Sequence, residues 1–213
     1  MFHRKYIIPI AITSMFFIAC NAQEKTQSMG KVGGQCEDCE AALDYKLLDL
    51  ALTSTAQMPG AEKLKPEIII EGIVFEKDGK TPASDVVLYF YQTNKEGLYK
   101  QSDKPFGWEQ RHGKFRTWAK TNKDGTYALH TFRPGAYPSG QEAEHIHLYI
   151  VEKNKSPYYI DNFIFQDDPK LSKSELDQQK ERGGSGLIKF EEINGTLMAK
   201  RNIILGLNIP NYK

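Results

Sequence analysis

The chain is short of three things: net charge, cysteine and long apolar runs. Its 28 lysines and arginines are balanced by 27 aspartates and glutamates. With no basic stripe and no interleaving of aromatic and basic residues, a nucleic-acid surface is excluded. The longest apolar stretch, Tyr6 to Ala19, falls short of the roughly 20 residues that a membrane-spanning helix needs. No internal repeat is found. The three cysteines, Cys20, Cys36 and Cys39, supply one Cys-x-x-Cys and no second pair. Once the N-terminal stretch is set aside, the histidines outside His145 and His147 are His112 and His130, which argues against a structural zinc site at the Cys-x-x-Cys. A thioredoxin-type redox centre would require a βαβ pattern that is absent.

What the N-terminus does contain is a short basic start, Arg4 and Lys5, then the apolar stretch, then Phe17-Ile-Ala-Cys20. A small residue before a cysteine at the end of such a stretch is the pattern of a lipoprotein signal, with Cys20 as the lipidated first residue. The alternative is an ordinary signal peptide cleaved near Ala22. Both readings export the mature protein, either as a membrane-anchored lipoprotein on the periplasmic or outer-surface side or as a periplasmic or secreted protein. Loss of Arg4 and Lys5 leaves 26 basic against 27 acidic residues, a net charge of −1. Outside the cytoplasm disulfides persist, so Cys36 and Cys39 read as a structural disulfide. The expected organisation is a signal peptide over 1–19, a flexible tether over 20–32, a helical segment carrying the Cys-x-x-Cys over 33–62, and a β-sandwich over 63–213.

The pattern predicts a helix from Asp38 to Leu52, with Leu43, Leu47, Leu48 and Leu50 mostly on one face and acidic residues at its N-terminus. Beyond Pro59-Gly60 the chain turns to β-branched and aromatic runs. Strands are predicted over Ile68 to Phe75, Val86 to Tyr91, Lys114 to Ala119, Thr126 to Thr131, His145 to Val151, Tyr158 to Phe165, Leu187 to Ile193 and Ala199 to Leu207. Turn signals such as Lys77-Asp-Gly79, Lys123-Asp-Gly125 and Asn194-Gly195 separate them. The fold class is therefore mostly β, an antiparallel β-sandwich, with one short helix near the C-terminus opened by the capping box Ser172-Lys-Ser-Glu175.

Within that frame His145-Ile-His147 carries the most chemistry. Side chains alternate along a strand, so both imidazoles face one side and can grip one metal ion. Tyr137 lies in the turn just upstream and Tyr99 follows Gly97-Leu. Two histidines with two tyrosines are unusual for zinc, whereas phenolates are hard anionic donors that favour a ferric ion. The blander alternatives are half-buried strand histidines, a tyrosine corner at Tyr137 and hairpin packing by Tyr99.

The order of these residues resembles the intradiol ring-cleavage dioxygenases, of the catechol and protocatechuate 3,4-dioxygenase type. The resemblance rests on Gly97-Leu-Tyr99, Thr121-Asn-Lys-Asp-Gly125-Thr-Tyr127, Thr131-Phe-Arg-Pro-Gly-Ala-Tyr137-Pro138 and His145-Ile-His147, and covers roughly residues 66 to 168. Gly33-Gly-Gln-Cys36-Glu-Asp-Cys39-Glu-Ala41, Asp167-Asp-Pro169 and Arg182 to Gly186 resemble a lipid-anchored or secreted branch in Bacteroidetes-like bacteria. The resemblance implies a non-haem Fe(III) on Tyr99, Tyr137, His145 and His147, and an aromatic diol and O2 as substrates. It also implies cleavage between the two hydroxylated carbons, Tyr137 as acceptor of a substrate proton, and Asn162 near the O2 site. A homo-oligomer is compatible with it.

Two positions depart from the family. The arginine expected three residues before the first histidine is Glu142, and the tryptophan expected after the second tyrosine is replaced by Ser139-Gly140. Arg116 and Arg133 are candidate replacements for the charge, against the blander readings of a solvated strand position and a turn residue; Trp108 and Trp118 are ring-binding walls or, as large aromatics more often are, core. Glu142 and Glu144 near the mouth disfavour an anionic diol. The competing class is a non-catalytic transthyretin-like or carboxypeptidase-regulatory-like sandwich, which shares the Asp-Gly and Pro-Gly-x-Tyr turns for structural reasons but has no use for Tyr99, His145 and His147.

Overall fold

A computed structural model describes Met1 and residues 31–140 and 142–213. The signal, Cys20 and nearly all of the expected tether lie outside the described residues. The remainder is a two-sheet sandwich. One sheet runs β1 (Thr55–Gln57), β5 (Thr126–Phe132), β2 (Glu67–Phe75), β11 (Thr196–Lys200), β10 (Glu191–Ile193), with β12 (Ile203–Ile204) also on β2. The other runs β4 (Arg116–Lys120), β3 (Val87–Tyr91), β6 (His145–Val151), β8 (Phe163–Phe165), β9 (Leu187–Ile188), with β7 (Tyr158–Tyr159) also on β6. The β-sandwich is as expected, but its sheets are mixed rather than purely antiparallel. The pairs β1/β5, β11/β2, β12/β2 and β8/β9 are parallel. These pairings join segments far apart in sequence, which strand pattern alone does not encode.

Alternation along β6 produces two cores. Ile146, Leu148 and Ile150 point between the sheets, where they join Phe90, Leu129, Phe132 and Phe163. Tyr149 and Val151 point the other way, into a second cluster with Tyr89, Tyr91 and Trp118. The segment before β1 roofs this outer face and keeps those aromatics out of water.

The roof corrects one expectation. Instead of a helix over Asp38 to Leu52, a 3-10 turn over Cys39–Leu43 is followed by a single α-turn, α1 (Asp44–Leu47). Its buried residues are the small Cys39, Ala41 and Ala42 together with Asp44, while Leu47, Leu48 and Leu50 are exposed. Tertiary pairing overrides the apolar stripe. The Trp118 indole N–H donates to the Ala42 carbonyl at 2.9 Å. Arg116 donates to Asp44 Oδ2 at 2.6 Å with both side chains buried, and the Trp108 N–H donates to the same oxygen at 2.9 Å. Asp44→Ala is expected to cost about 3–5 kcal/mol, because it leaves the Arg116 guanidinium buried without its counter-charge. Denaturant unfolding measures this, and a loss below about 1 kcal/mol would show that the pair does not hold the roof.

One further expectation resolves differently. The run Tyr158 to Phe165 is broken into β7 and β8, which pair with different stretches of β6. The helix opened by Ser172 is α3 (Lys173–Gln178), with the Ser172 hydroxyl accepting the Glu175 N–H at 3.1 Å. Also present is α2 (Glu109–His112), in the loop between β3 and β4.

Candidate metal centre

Two loops and one strand assemble the site. Tyr99 sits in the loop after β3, which Asn94 shapes by accepting the N–H groups of Glu96 and Leu98 at 3.1 and 2.9 Å. Tyr137 sits in the loop after β5. The loops touch backbone to backbone: the Thr93 hydroxyl donates to the Gly135 carbonyl at 2.7 Å, and the Gly135 N–H to the Asn94 carbonyl at 2.8 Å. A Cβ at Gly97, which also has φ +77°, would overlap the Ala136 carbonyl. A Cβ at Gly135 would overlap the Lys95 carbonyl. The glycines of Gly-x-Tyr and Pro-Gly-x-Tyr are thus the contact that brings the two phenols together.

The histidines come from β6 by strand alternation, with His147 directly opposite Tyr91 of β3. The donor atoms converge. Tyr99 Oη lies 2.6 Å from Tyr137 Oη and 2.8 Å from His147 Nε2. Tyr137 Oη lies 3.1 Å from His147 Nε2 and 3.2 Å from His145 Nε2, and the two Nε2 atoms are 3.2 Å apart.

Proton counting decides what such a cluster suits. His145 Nδ1 is 2.8 Å from the Ala143 carbonyl. A carbonyl only accepts, so Nδ1 carries the proton and Nε2 presents a lone pair. The five close contacts then share at most three protons: two phenolic, and one at most on His147. At least two contacts set lone pair against lone pair, an arrangement that a cation between them resolves. Burial pushes both phenols above their ordinary range, with Tyr137 next in raising Tyr99. Burial, then His145, pushes His147 well below the imidazole range. Neutral imidazoles are what a metal requires, and a bound cation reverses the penalty on the phenolates.

The second layer around the donors is built in. The Ala143 N–H donates to the Glu175 carboxylate at 3.2 Å, so α3 steadies the carbonyl that orients His145. Asn162, at the break between β7 and β8, lies near the His147 imidazole and acts to raise its pKa, against the lowering by burial. Such partners fix the tautomer and ring orientation of a ligating histidine. Among the described residues no group of three His, Cys, Asp or Glu side chains comes together as a metal site. Here the two tyrosines complete the donor set.

All four expected ligand residues are therefore brought together, with Asn162 beside them. The candidate replacements for the missing charge are not. Arg116 is locked to Asp44. Arg133 pairs with Glu144 and with Asp167, and Glu142 is exposed. The tryptophans take the core reading rather than that of walls: Trp118 belongs to the roofed core, with Trp108 packed against it, and neither lines the pocket. The pocket of about 250 Å³ beside Tyr99, Tyr137 and His147 is lined instead by Tyr91, Tyr149, His112, Arg111, Asp38 and Glu37. Tyr91 stacks between His147 and His112, with ring centroids 4.3 and 3.8 Å away. Sequence reading passed over this wall. Its one signal was the aromatic spacing of Tyr89 and Tyr91 on the face that β6 shares with His147. The disulfide loop Cys36–Cys39, with Cα atoms 5.8 Å apart, forms the rim.

The model of the family described as Dioxygenase matches residues 48–179 of the chain. No curated protein matches. Several solved structures share the fold. The dioxygenase domain of a dioxygenase–carbohydrate-binding protein fusion from the cellulolytic bacterium Streptomyces sp. SirexAA-E aligns at 22% identity and TM-score 0.50, over 65% of this chain and 79% of that one. An intradiol ring-cleavage dioxygenase from Tetranychus urticae aligns at 16% identity and TM-score 0.52, over 66% and 81%. Hydroxyquinol 1,2-dioxygenase from Pseudomonas putida DLL-E4 aligns at 20% identity and TM-score 0.51, over 73% and 62%, so less than two thirds of that enzyme is spanned.

Proposed function

The chain belongs to the dioxygenase family, and from that premise we propose that it is an intradiol ring-cleavage dioxygenase, opening a catechol-type ring between its two hydroxylated carbons with O2. The observation that carries this reading is the convergence of Tyr99 Oη, Tyr137 Oη, His145 Nε2 and His147 Nε2, with five of their six pairs within 2.6–3.2 Å. These four would hold a ferric ion, which when bound supplies Lewis-acid charge compensation for a doubly deprotonated diol. The protein's own residues do the rest. Tyr137 Oη lies within 3.2 Å of three of its neighbours; as the phenolate that a bound ferric ion would make of it, it would accept a proton from a diol hydroxyl. The Ala143 carbonyl holds the His145 imidazole in register, and Asn162 stands near that of His147. Tyr91 and Tyr149 wall a pocket of about 250 Å³, which is below the roughly 300–1,000 Å³ of drug-sized sites and suits a single ring.

The test is purification after iron loading, a visible spectrum, and titration with catechol, hydroxyquinol and protocatechuate, followed by oxygen uptake. The expected result is a phenolate-to-iron band in the visible that moves when a diol is added, with oxygen consumed. A colourless protein that takes up no iron would favour the non-catalytic sandwich instead.

A further inference from the structure

The wall of the pocket opposite the metal donors comes from the N-terminal roof, and it is charged. Between Cys36 and Cys39 the chain presents Glu37 and Asp38, with Asp38 in the left-handed region at φ 60°. The Tyr149 hydroxyl, itself 3.0 Å from Tyr91 Oη, donates to the Glu37 carbonyl at 3.1 Å and anchors this loop over the pocket. Arg111 of α2 reaches across with one guanidinium nitrogen 2.9 Å from Glu37 Oε1 and 2.9 Å from Asp38 Oδ2.

Charge on this rim does not cancel. The remaining basic group is His112, whose Nε2 is 3.7 Å from Asp38 Oδ2 and whose Nδ1 is 2.8 Å from Tyr89 Oη. Burial, then Arg116 and Arg111, lowers its pKa to about 4, so it is neutral at physiological pH. Two carboxylates then face one guanidinium, which leaves about one uncompensated negative charge. Glu142, whose charge acts on both site phenols, adds to it. Among the described residues that line the pocket, Arg111 is the one arginine or lysine.

Resting on the dioxygenase reading above, we propose that the ion-paired rim of Glu37, Asp38 and Arg111 selects the diol by the charge of its ring substituent. It admits neutral and cationic catechols and disfavours those bearing a carboxylate. Arg111 is thereby a specificity-determining residue held in place by the disulfide loop. It is not a general anion receptor, because both of its nearest partners are already carboxylates.

Removing one charge from the rim changes the energy of a substituent that differs by two charges between the probes. At the mouth, with an effective dielectric of about 40–80 and a separation of about 8 Å, this corresponds to roughly a five- to thirtyfold change in relative affinity. The experiment uses the full mature chain loaded with iron. The visible band is titrated with catechol, protocatechuate and 4-(2-aminoethyl)catechol, and dissociation constants are read from the band shift rather than from turnover. Wild type is expected to bind the aminoethyl compound more tightly than protocatechuate. Glu37→Gln should move that ratio towards protocatechuate, and Arg111→Gln should move it the other way. Both shifts should shrink at high salt, where the Debye length falls to roughly 3 Å near 1 M. A rim that only braced the loop would give changes of the same sign in both variants and no salt dependence, and that result overturns the proposal while leaving the dioxygenase reading intact. Failure of all three diols to move the band overturns both.

Discussion

Changing His145 and His147 together to alanine is expected to abolish iron binding and leave the sandwich folded. Each substitution removes one neutral nitrogen from a four-donor set, and loss of even a supporting partner of a ligand commonly costs about 10–100-fold in metal affinity. Removal of two ligands leaves two phenols 2.6 Å apart that burial holds protonated. The fold should survive because β6 buries its alternate residues, Ile146, Leu148 and Ile150, between the sheets, and these are untouched. Metal analysis gives iron per chain, and thermal unfolding followed by circular dichroism reports the fold. A double variant that keeps a full complement of iron would sink the assignment of the metal centre.

Tyr137→Phe tests role rather than occupancy. Its hydroxyl is within 3.2 Å of Tyr99 Oη and of both imidazole nitrogens, so that it and His147 Nε2 are the two best-connected donors of the set. The substitution leaves three protein donors, so part of the iron should remain and the visible band should weaken or shift. Turnover should fall much further, by roughly 10²–10⁴-fold, the range for removing a positioned proton acceptor. Single-turnover oxygen uptake, normalised to bound iron, separates the two effects. If activity per iron stays at the wild-type level, Tyr137 is a ligand only, and another group accepts the substrate proton.

Much of this was written locally. Strand β6 has the bounds that its residue pattern predicts, His145 to Val151, and β2 and β5 differ from expectation by one residue each. Period-two alternation is enough to place both imidazoles on one face, and a hydroxyl before a helix is enough to cap α3. These signals span a few residues, so neighbouring side chains set them without help from the rest of the chain.

The roof departs from its local pattern for the opposite reason. The stripe of Leu43, Leu47, Leu48 and Leu50 has helical spacing, yet three of the four are exposed. Burying Ala41, Ala42 and Asp44 against Trp118 and Arg116 satisfies a polar network that a leucine-faced helix would leave unpaired. Similarly, Tyr158 to Phe165 has the composition of one strand, and only pairing with two separate stretches of β6 breaks it. That break places Asn162 beside His147.

By itself the sequence determined the class of the fold, the strand that carries the histidines and the four residues with donor chemistry, because strand period, turn glycines and side-chain type are properties of short segments. The tertiary structure alone decided that the two phenols meet, since Tyr99 and Tyr137 stand 38 positions apart and are joined by two loops whose glycines let their backbones touch. It also decided the parallel edges of both sheets, and that the pocket faces a rim of Glu37, Asp38 and Arg111 rather than the arginines the motif suggested. Contacts between segments so distant in sequence depend on how whole sheets and loops pack, which no local pattern records.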